Sequence, residues 1–480
     1  MFSYNGMDYE TVIGLEVHIE LLTKTKIFCA CSAAFGGEPN THTCPVCTGQ
    51  PGSLPVLNRR VVELAAAVGL ALNCTIEKRP RFDRKNYFYP DNPQNYQISQ
   101  LYAPLCQNGF LHVETEEGEK RLRIHEIHME EDAGKLLHSP EGDVSFVDYN
   151  RAGVPLIEIV TEPDMRNADE VLAFLEKLRL RVQYLGASDC RMNEGSLRVD
   201  VNLSLRKKGE KTLGTRTEMK NLNSFRAVKR AIEAEALRQA KLLSEHGSVE
   251  QETRRWDDGE GVSYPMRSKE DVSDYRYFPE PDLPGLILTD EWIEDLRKGL
   301  PEFREEKRRR FVKDYGLTDY DAGVLTASKD MADFFETTAA LCNNPKKTAN
   351  WLMGETLRLK REAGKTEDKI PFSPEHLAKL IRLTEEGKLN STLAKEVFFV
   401  MFREDKDPLE EAEERGLLAV TDEETMRKQI KEVLSENPGP VEQYRSGTEK
   451  VFGFLVGQTM KKLKGKGDPA VIQRILKEEL

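Results

Sequence analysis

An α+β protein is predicted: a large first domain of mainly antiparallel sheet with flanking helices, an all-α helical domain, and a small helical tail. Three observations carry this. Up to about Leu288, strand-like alternation is interspersed with amphipathic helices and turn clusters. From Asp290 to about Arg403 the apolar spacing is helical almost throughout, as in Met331-Ala332-Asp333-Phe334-Phe335 and Leu377-Ala378-Lys379-Leu380-Ile381. A charged stretch, Arg403 to Arg415, then separates a last helical segment. The expected boundaries are 1–290, 291–405 and 406–480, and 480 residues are too many for one core.

In Tyr9 to Thr23, Ile13, Leu15, Val17, Ile19 and Leu21 alternate with Glu16, His18 and Glu20, which as a strand places the last three on one face. Such a face can offer oxygen and nitrogen ligands to a hard cation such as Mg²⁺. An outward, solvated face explains the same alternation. Next, Cys29-Ala30-Cys31 and Cys44-Pro45-Val46-Cys47 are twelve residues apart. Cys29, Cys31, Cys44 and Cys47 suit a closed, structural Zn²⁺ site, since four sulfur ligands leave no position for a reacting water. Cys74, Cys106, Cys190 and Cys342 are isolated and fit small core residues.

The stretch from Phe82 to Gln100 mixes Phe and Tyr rings, side-chain amides and the charges of Asp83, Arg84, Lys85 and Asp91, and its prolines oppose a continuous helix. So many donors and acceptors need partners, and a polar substrate in a pocket is one. His128 to Lys135 is acidic and closes on Gly134 and Lys135, while Glu158 and Glu162 lie within an otherwise apolar strand, Pro155 to Glu162. A buried, ionised Glu158 requires a metal, a cationic neighbour or an open face. Arg198, Asp200, Asn202 and Ser204 repeat the theme, suggesting a sheet that lines a wet cavity. Between these strands, Asn167 to Gly186 carries Val171, Leu172, Leu175, Leu178, Val182 and Leu185 on one helical stripe, with Gly186 as the stop. Ser224 to His246 follows the same pattern. Near the end, Thr421 and Glu424 form a capping-box signature, and a short helical pattern runs from Pro469 to Leu480.

Composition narrows the function. A net charge of -12 disfavours indiscriminate binding to a polyanion, so any nucleic-acid contact is local. The candidates are Arg304 to Arg310 and Lys461, Lys462, Lys464 and Lys466, each of which also fits a solvated helix face. No window approaches the ~18–20 apolar residues of a membrane span, and Met1 to Tyr9 lacks a secretion signal's apolar core, so the expected compartment is the cytoplasm. Gly364-Lys365-Thr366 resembles the end of a phosphate-binding loop, but Leu359 stands where its first glycine belongs.

These motifs together resemble the B subunits of the aspartyl/glutamyl-tRNA amidotransferases of bacteria and organelles. The resemblance runs from Glu10-Thr11-Val12-Ile13-Gly14-Leu15-Glu16-Val17-His18 through 83–100, 128–135, 150–163, 195–202, 218–225 and 274–281 to the tail 453–460. It implies a cradle domain, a helical domain and a tRNA-holding tail. It further implies a carbon–nitrogen ligase of three subunits, with an amidase A subunit releasing ammonia from glutamine and a small C subunit. The B subunit would use ATP and Mg²⁺ to phosphorylate the side-chain carboxylate of Glu-tRNA(Gln) or Asp-tRNA(Asn), and ammonia would displace the phosphate. By position, His18, Glu131 and Glu158 are the implied metal ligands and catalytic residues, with Glu16 and Glu130 as close neighbours. Lys85, Tyr87 and Lys135 would stabilise substrate or phosphate, and Asn150 and Arg151 would contact nucleotide or aminoacyl group. The alternative is a tRNA-binding scaffold of the same complex without the chemistry. Zn²⁺ rests on cysteine spacing alone.

Overall fold

A computed structural model describes residues 2–480 except 117, 140–141, 269–273, 365–368, 420–422, 464–465 and 468. Lys365, Thr366, Thr421 and Lys464 therefore lie outside the described residues. The chain forms two compact units, Met1–Phe303 and Arg304–Leu480.

The first unit is organised by the alternation of β2 (Met7–Glu20), which pairs with β1 (Phe2–Tyr4). Ile13, Leu15, Val17 and Ile19 are buried in the core, leaving Glu16, His18 and Glu20 on the other face. Downstream come α1 (Arg59–Ala71), β3 (Thr75–Ile76), β4 (Asp83–Asn86), β5 (Tyr96–Ser99), β6 (Cys106–Thr115) and β7 (Gly118–Glu131). They are followed by β8 (Lys135–His138), β9 (Ser145–Asp148), β10 (Pro155–Thr161), α2 (Ala168–Tyr184), β11 (Leu197–Lys207) and β12 (Thr217–Lys220). Then come α3 (Phe225–Ser244), β13 (Glu252–Asp257), β14 (Val262–Ser268), β15 (Phe278–Pro279) and α4 (Asp290–Lys298). The large sheet has the order β14-β13-β12-β11-β2-β10-β7-β6-β3. Its neighbours are antiparallel except β12 and β13, so the fold is α+β with a mainly antiparallel sheet.

Asn58, Asn167 and Ser224 cap α1, α2 and α3, each accepting a bond from a first-turn N–H. The apolar stripes of these helices join the strands' inward side chains in one core. Gly69 lets α1 ride close to β6, because a Cβ there would lie 2.3 Å from Cys106 Sγ. The opposite face of the sheet keeps its polar side chains, the division expected of an antiparallel sheet packed on one side. Two small sheets border it, β15-β4-β5 and β8-β9. Trp292, Ile293 and Leu296 of α4 also pack on this core, so the first helix of the helical stretch belongs to the sheet's unit.

One buried polar knot ties α3 to the sheet. The Glu235 carboxylate accepts bonds from Thr217 Oγ1 at 2.7 Å, Arg238 at 2.8 Å and Gln239 Nε2 at 2.9 Å. Burial opposes its charge, but Arg238 and Gln239 win and hold its pKa below the ordinary 4.5. Glu235→Ala removes the acceptor shared by these three donors and the carboxylate 3.7 Å from the buried Arg254, and is expected to cost about 3–5 kcal/mol at pH 7 in chemical denaturation. A depressed carboxylate pKa adds stability above its unfolded value, lost as pH falls through the folded one. The gap between wild type and variant should therefore narrow below about pH 4.5.

The second unit is helical: α5 (Arg304–Tyr315), α6 (Asp319–Leu325), α7 (Lys329–Cys342), α8 (Pro345–Trp351), a π-turn (Leu352–Thr356), α9 (Leu357–Glu362) and α10 (Pro374–Glu385). It continues with α11 (Ser391–Glu404), α12 (Pro408–Glu414), α13 (Glu423–Glu436), α14 (Pro438–Arg445), α15 (Lys450–Lys462) and α16 (Pro469–Glu479). Its apolar side chains form two clusters, Phe311 to Ala412 and Met426 to Leu476. The basic run of α5 is matched by acids: Lys307 and Arg310 each reach Glu336 at 2.6 Å, and Arg308 pairs with Asp319. That pairing favours a structural role for it. Among the described residues, no helix is long and apolar enough to cross a membrane.

Candidate active site

The open face of the sheet gathers its polar side chains by register. In β10, Glu158 stands opposite His18 of β2 on one side and His128 of β7 on the other. Leu156, two residues away on the same face, stands opposite Glu130. Glu130 and Glu158 thus converge on His18, whose Nε2 lies 3.5 Å from Glu158 Oε2 and 3.9 Å from Glu130 Oε1. One donor atom from each of the three falls within 4.8 Å of the others. Burial alone would penalise Glu158's charge, yet bonds with His128 and His18 hold its pKa well below the carboxylate range. Burial works against a charged His18 too, but the Glu158 bond and the charges of Glu158 and Glu130 raise its pKa. One imidazole and two carboxylates on rigid strands are a donor set that fits a hard divalent cation.

Of the residues implied as ligands by motif position, the structure brings His18 and Glu158 together with Glu130 and sets Glu131 apart from them. Strand parity is the reason. Glu126, His128 and Glu130 share one face of β7, whereas Glu131 pairs with Pro155 and shares the opposite face with Ile127 and Met129. There its Oε1 accepts from Ile98 N at 3.0 Å and from Gln94 Nε2. Burial, with the charges of Glu280 and Glu130, pushes its pKa up to about 8. It lines a cavity of about 280 Å³ with Lys26, Cys47, Arg84, Gln94 and Tyr96. Glu131→Gln is accordingly expected to leave Mn²⁺ affinity unchanged in a titration that Glu130→Gln disturbs.

Beside the first cluster lies a second, Glu16, Asp200 and Glu218, brought together by β2, β11 and β12. Lys220 Nζ reaches Asp200 at 2.6 Å and Glu218 at 2.9 Å, and Asn202 donates to Glu16 at 3.0 Å. Burial first, then the charge of Glu158, raises the Glu16 pKa. Further along the same face, Arg198 donates to Asp132 Oδ2 at 2.5 Å. Glu20 beside it is pushed up to about 8 by burial and then by Asp132.

Lys85, in β4, places its ammonium 5.2 Å from the centre of the Tyr275 ring, and Tyr87 packs edge-on to the same ring. Burial, then the charges of Asp91 and Glu130, raises the Tyr87 pKa and keeps its hydroxyl a neutral donor. Lys135 is exposed at the start of β8. Asn150 and Arg151 are occupied by protein. The Asn150 amide donates to Glu38 O at 2.6 Å and accepts from His42 N at 2.8 Å; Arg151 donates to Ala133 O at 3.0 Å and Gly134 O at 2.7 Å. They shape the loops around the site.

The four sulfurs of Cys29, Cys31, Cys44 and Cys47 fall within 4.8 Å of one another, a donor set that fits a tetrahedral Zn²⁺. Cys47 has its pKa lowered to about 4. A bond from Cys29, the Cys44 N–H at 3.2 Å and the ammonium of Lys26 at 3.5 Å hold its thiol far below the usual value. Lys26 itself is fully buried, and sequence alone did not single it out. Cys74, Cys106, Cys190 and Cys342 are buried, as expected of core residues. In the second unit, Lys461 is exposed, Lys462 pairs with Glu432 at 3.1 Å and Glu436 at 2.5 Å, and Lys466 lines a cavity with Trp351.

Both units of the chain match known proteins. A family model described as the GatB/GatE catalytic domain matches residues 11–294, and one described as the GatB domain matches residues 333–480. A protein of Agathobacter rectalis, named as the B subunit of an aspartyl/glutamyl-tRNA(Asn/Gln) amidotransferase, is 62% identical over 98% of this chain and 100% of its own length. Proteins of the same name from Lachnospira eligens and Thermoanaerobacter pseudethanolicus are 58% and 56% identical, over 98% and 99% of this chain and 99% and 100% of their own lengths. With matches of this extent over both units, the chain belongs to the GatB family, that of the B subunits of aspartyl/glutamyl-tRNA(Asn/Gln) amidotransferases.

Proposed function

We propose that this chain is the kinase and transamidase subunit of a three-subunit tRNA-dependent amidotransferase of the cytoplasm, working with an amidase A subunit and a small C subunit. The γ-phosphoryl group of ATP passes to the side-chain carboxylate of Glu-tRNA(Gln) or Asp-tRNA(Asn), leaving ADP and an acyl phosphate. Ammonia from the amidase attacks the acyl carbon, phosphate leaves, and the amide of Gln-tRNA(Gln) or Asn-tRNA(Asn) remains after loss of a proton. The observation that carries this reading is the convergence of His18, Glu130 and Glu158 on the open face of the sheet.

Mg²⁺ bound by these three residues would neutralise phosphate charge, the main requirement of phosphoryl transfer. Lys85 and Lys135 supply positive charge to phosphate or substrate, and Tyr87 donates a hydrogen bond. Glu131, from behind, positions the β4–β5 hairpin that carries Lys85 through its bond to Ile98 N. Asn150 and Arg151 act by holding the neighbouring loops. Zn²⁺ at the four cysteines fixes the 29–47 loop, and Lys461, Lys462, Lys464 and Lys466 contribute to tRNA binding in the tail. The scaffold alternative expects gaps in the acidic set, and the set is complete.

The test is ATP cleavage by the purified complex with no nitrogen donor present. Inorganic phosphate or ADP should form only when Glu-tRNA or Asp-tRNA is added; tight tRNA binding with no such cleavage would favour the scaffold.

A further inference from the structure

His128 is buried among the carboxylates of the acidic face and has no part in the ligand set. It stands opposite Glu158 across β10, so Glu158 is flanked by one imidazole on each side, His18 on β2 and His128 on β7. Its Nε2 lies 3.1 Å from Glu158 Oε2 and 3.7 Å from Glu130 Oε2. Its Nδ1 lies 3.3 Å from Glu126 Oε1 on the far side of the ring. The ring is 9% exposed, and Glu130 is 3% exposed. It has little room to rotate away from its carboxylates.

We propose that His128 is a positioning residue whose Nε2 holds the carboxylates of Glu158 and Glu130 in the orientation in which, with His18, they accept a divalent cation. The assignment rests on the reading of His18, Glu130 and Glu158 as a cation site. Three carboxylates, Glu126, Glu130 and Glu158, would otherwise face one another across a half-buried sheet with His18 as their one neighbouring imidazole. A carboxylate offers two oxygens and about four lone-pair directions. One N–H on Glu158 Oε2 therefore restricts the carboxylate's rotation and still leaves lone pairs for a cation. Outer contacts of this kind fix ligand geometry, and losing one weakens metal binding by about 10–100-fold.

Mn²⁺ titration of the purified complex, followed by the loss of free-ion EPR signal without ATP or tRNA, tests this. His128→Leu removes the N–H and should weaken Mn²⁺ binding about 10–100-fold. His128→Gln restores an N–H donor and should recover part of the affinity. In turnover the lost affinity should appear as a higher Mg²⁺ requirement, with kcat recovering at saturating Mg²⁺. Should His128→Leu fail to assemble, His128→Gln against His128→Asn, whose shorter amide falls away from Glu158, makes the same comparison. If Glu158→Gln loses Mn²⁺ while His128→Leu and His128→Asn bind it like wild type, the positioning role is wrong. If Glu158→Gln also binds Mn²⁺ like wild type, the cation site itself is wrong.

Discussion

Glu158→Gln should abolish ATP-dependent amidation, lowering the rate by about three orders of magnitude, while tRNA still binds. The substitution keeps size and removes charge at the carboxylate that lies nearer than Glu130 to both imidazoles, 3.5 Å from His18 and 3.1 Å from His128. Loss of a metal's stabilisation of phosphoryl charge is worth several kcal/mol, and each ~1.4 kcal/mol is tenfold in rate. The variant also leaves two imidazoles beside a neutral amide, so each loses one of the carboxylates that raise its pKa. Rapid-quench assay of phosphate release with Glu-tRNA, beside filter binding of the same tRNA, separates the two effects. A rate within tenfold of wild type would remove Glu158 from the reaction.

The second large effect is expected at Cys47. Cys47→Ala removes a sulfur from the four-cysteine set and also the negative charge facing the fully buried ammonium of Lys26. Among the described residues, the hydrogen-bond partner left to Lys26 is then the Tyr149 carbonyl, 3.3 Å away. An uncompensated buried charge costs about 3–5 kcal/mol, and loss of a structural metal adds to it. The variant should contain no zinc by elemental analysis and should melt well below wild type. The double change Cys47→Ala with Lys26→Met should recover part of that loss, because it removes the charge along with its partner. A double variant no more stable than the single one would show that Lys26 does not depend on the thiolate.

Much of this site is visible in the chain before folding, because strands carry a period of two. Glu16, His18 and Glu20 fall on one face by counting alone, and Glu158 stands out within an apolar strand. Choosing Glu130 over Glu131 needed the strand to be extended backwards through Glu126 and His128, where the same parity holds. The alternation Glu126, His128, Glu130 against Ile127, Met129 was the available signal. Asp200 and Glu218 join Glu16 through the registers of β11 and β12, which one strand's pattern does not contain. Lys26 and the loop-holding roles of Asn150 and Arg151 depend on contacts more than a hundred residues apart in sequence or on a folded loop. Helical spacing likewise revealed α4 but not the core it packs on, since a periodic apolar face does not identify its partner.

The most direct test of the central claim is ATP-dependent conversion of Glu-tRNA to Gln-tRNA by this chain in complex with its A and C subunits, with ammonium salt in place of glutamine. Ammonium makes the glutaminase unnecessary, so any product reports on the sheet's open face. Conversion by wild type that disappears with Glu158→Gln and with Glu130→Gln is the predicted result. Wild-type conversion that survives both changes, or tight binding of Glu-tRNA and Asp-tRNA with neither converted, would contradict it.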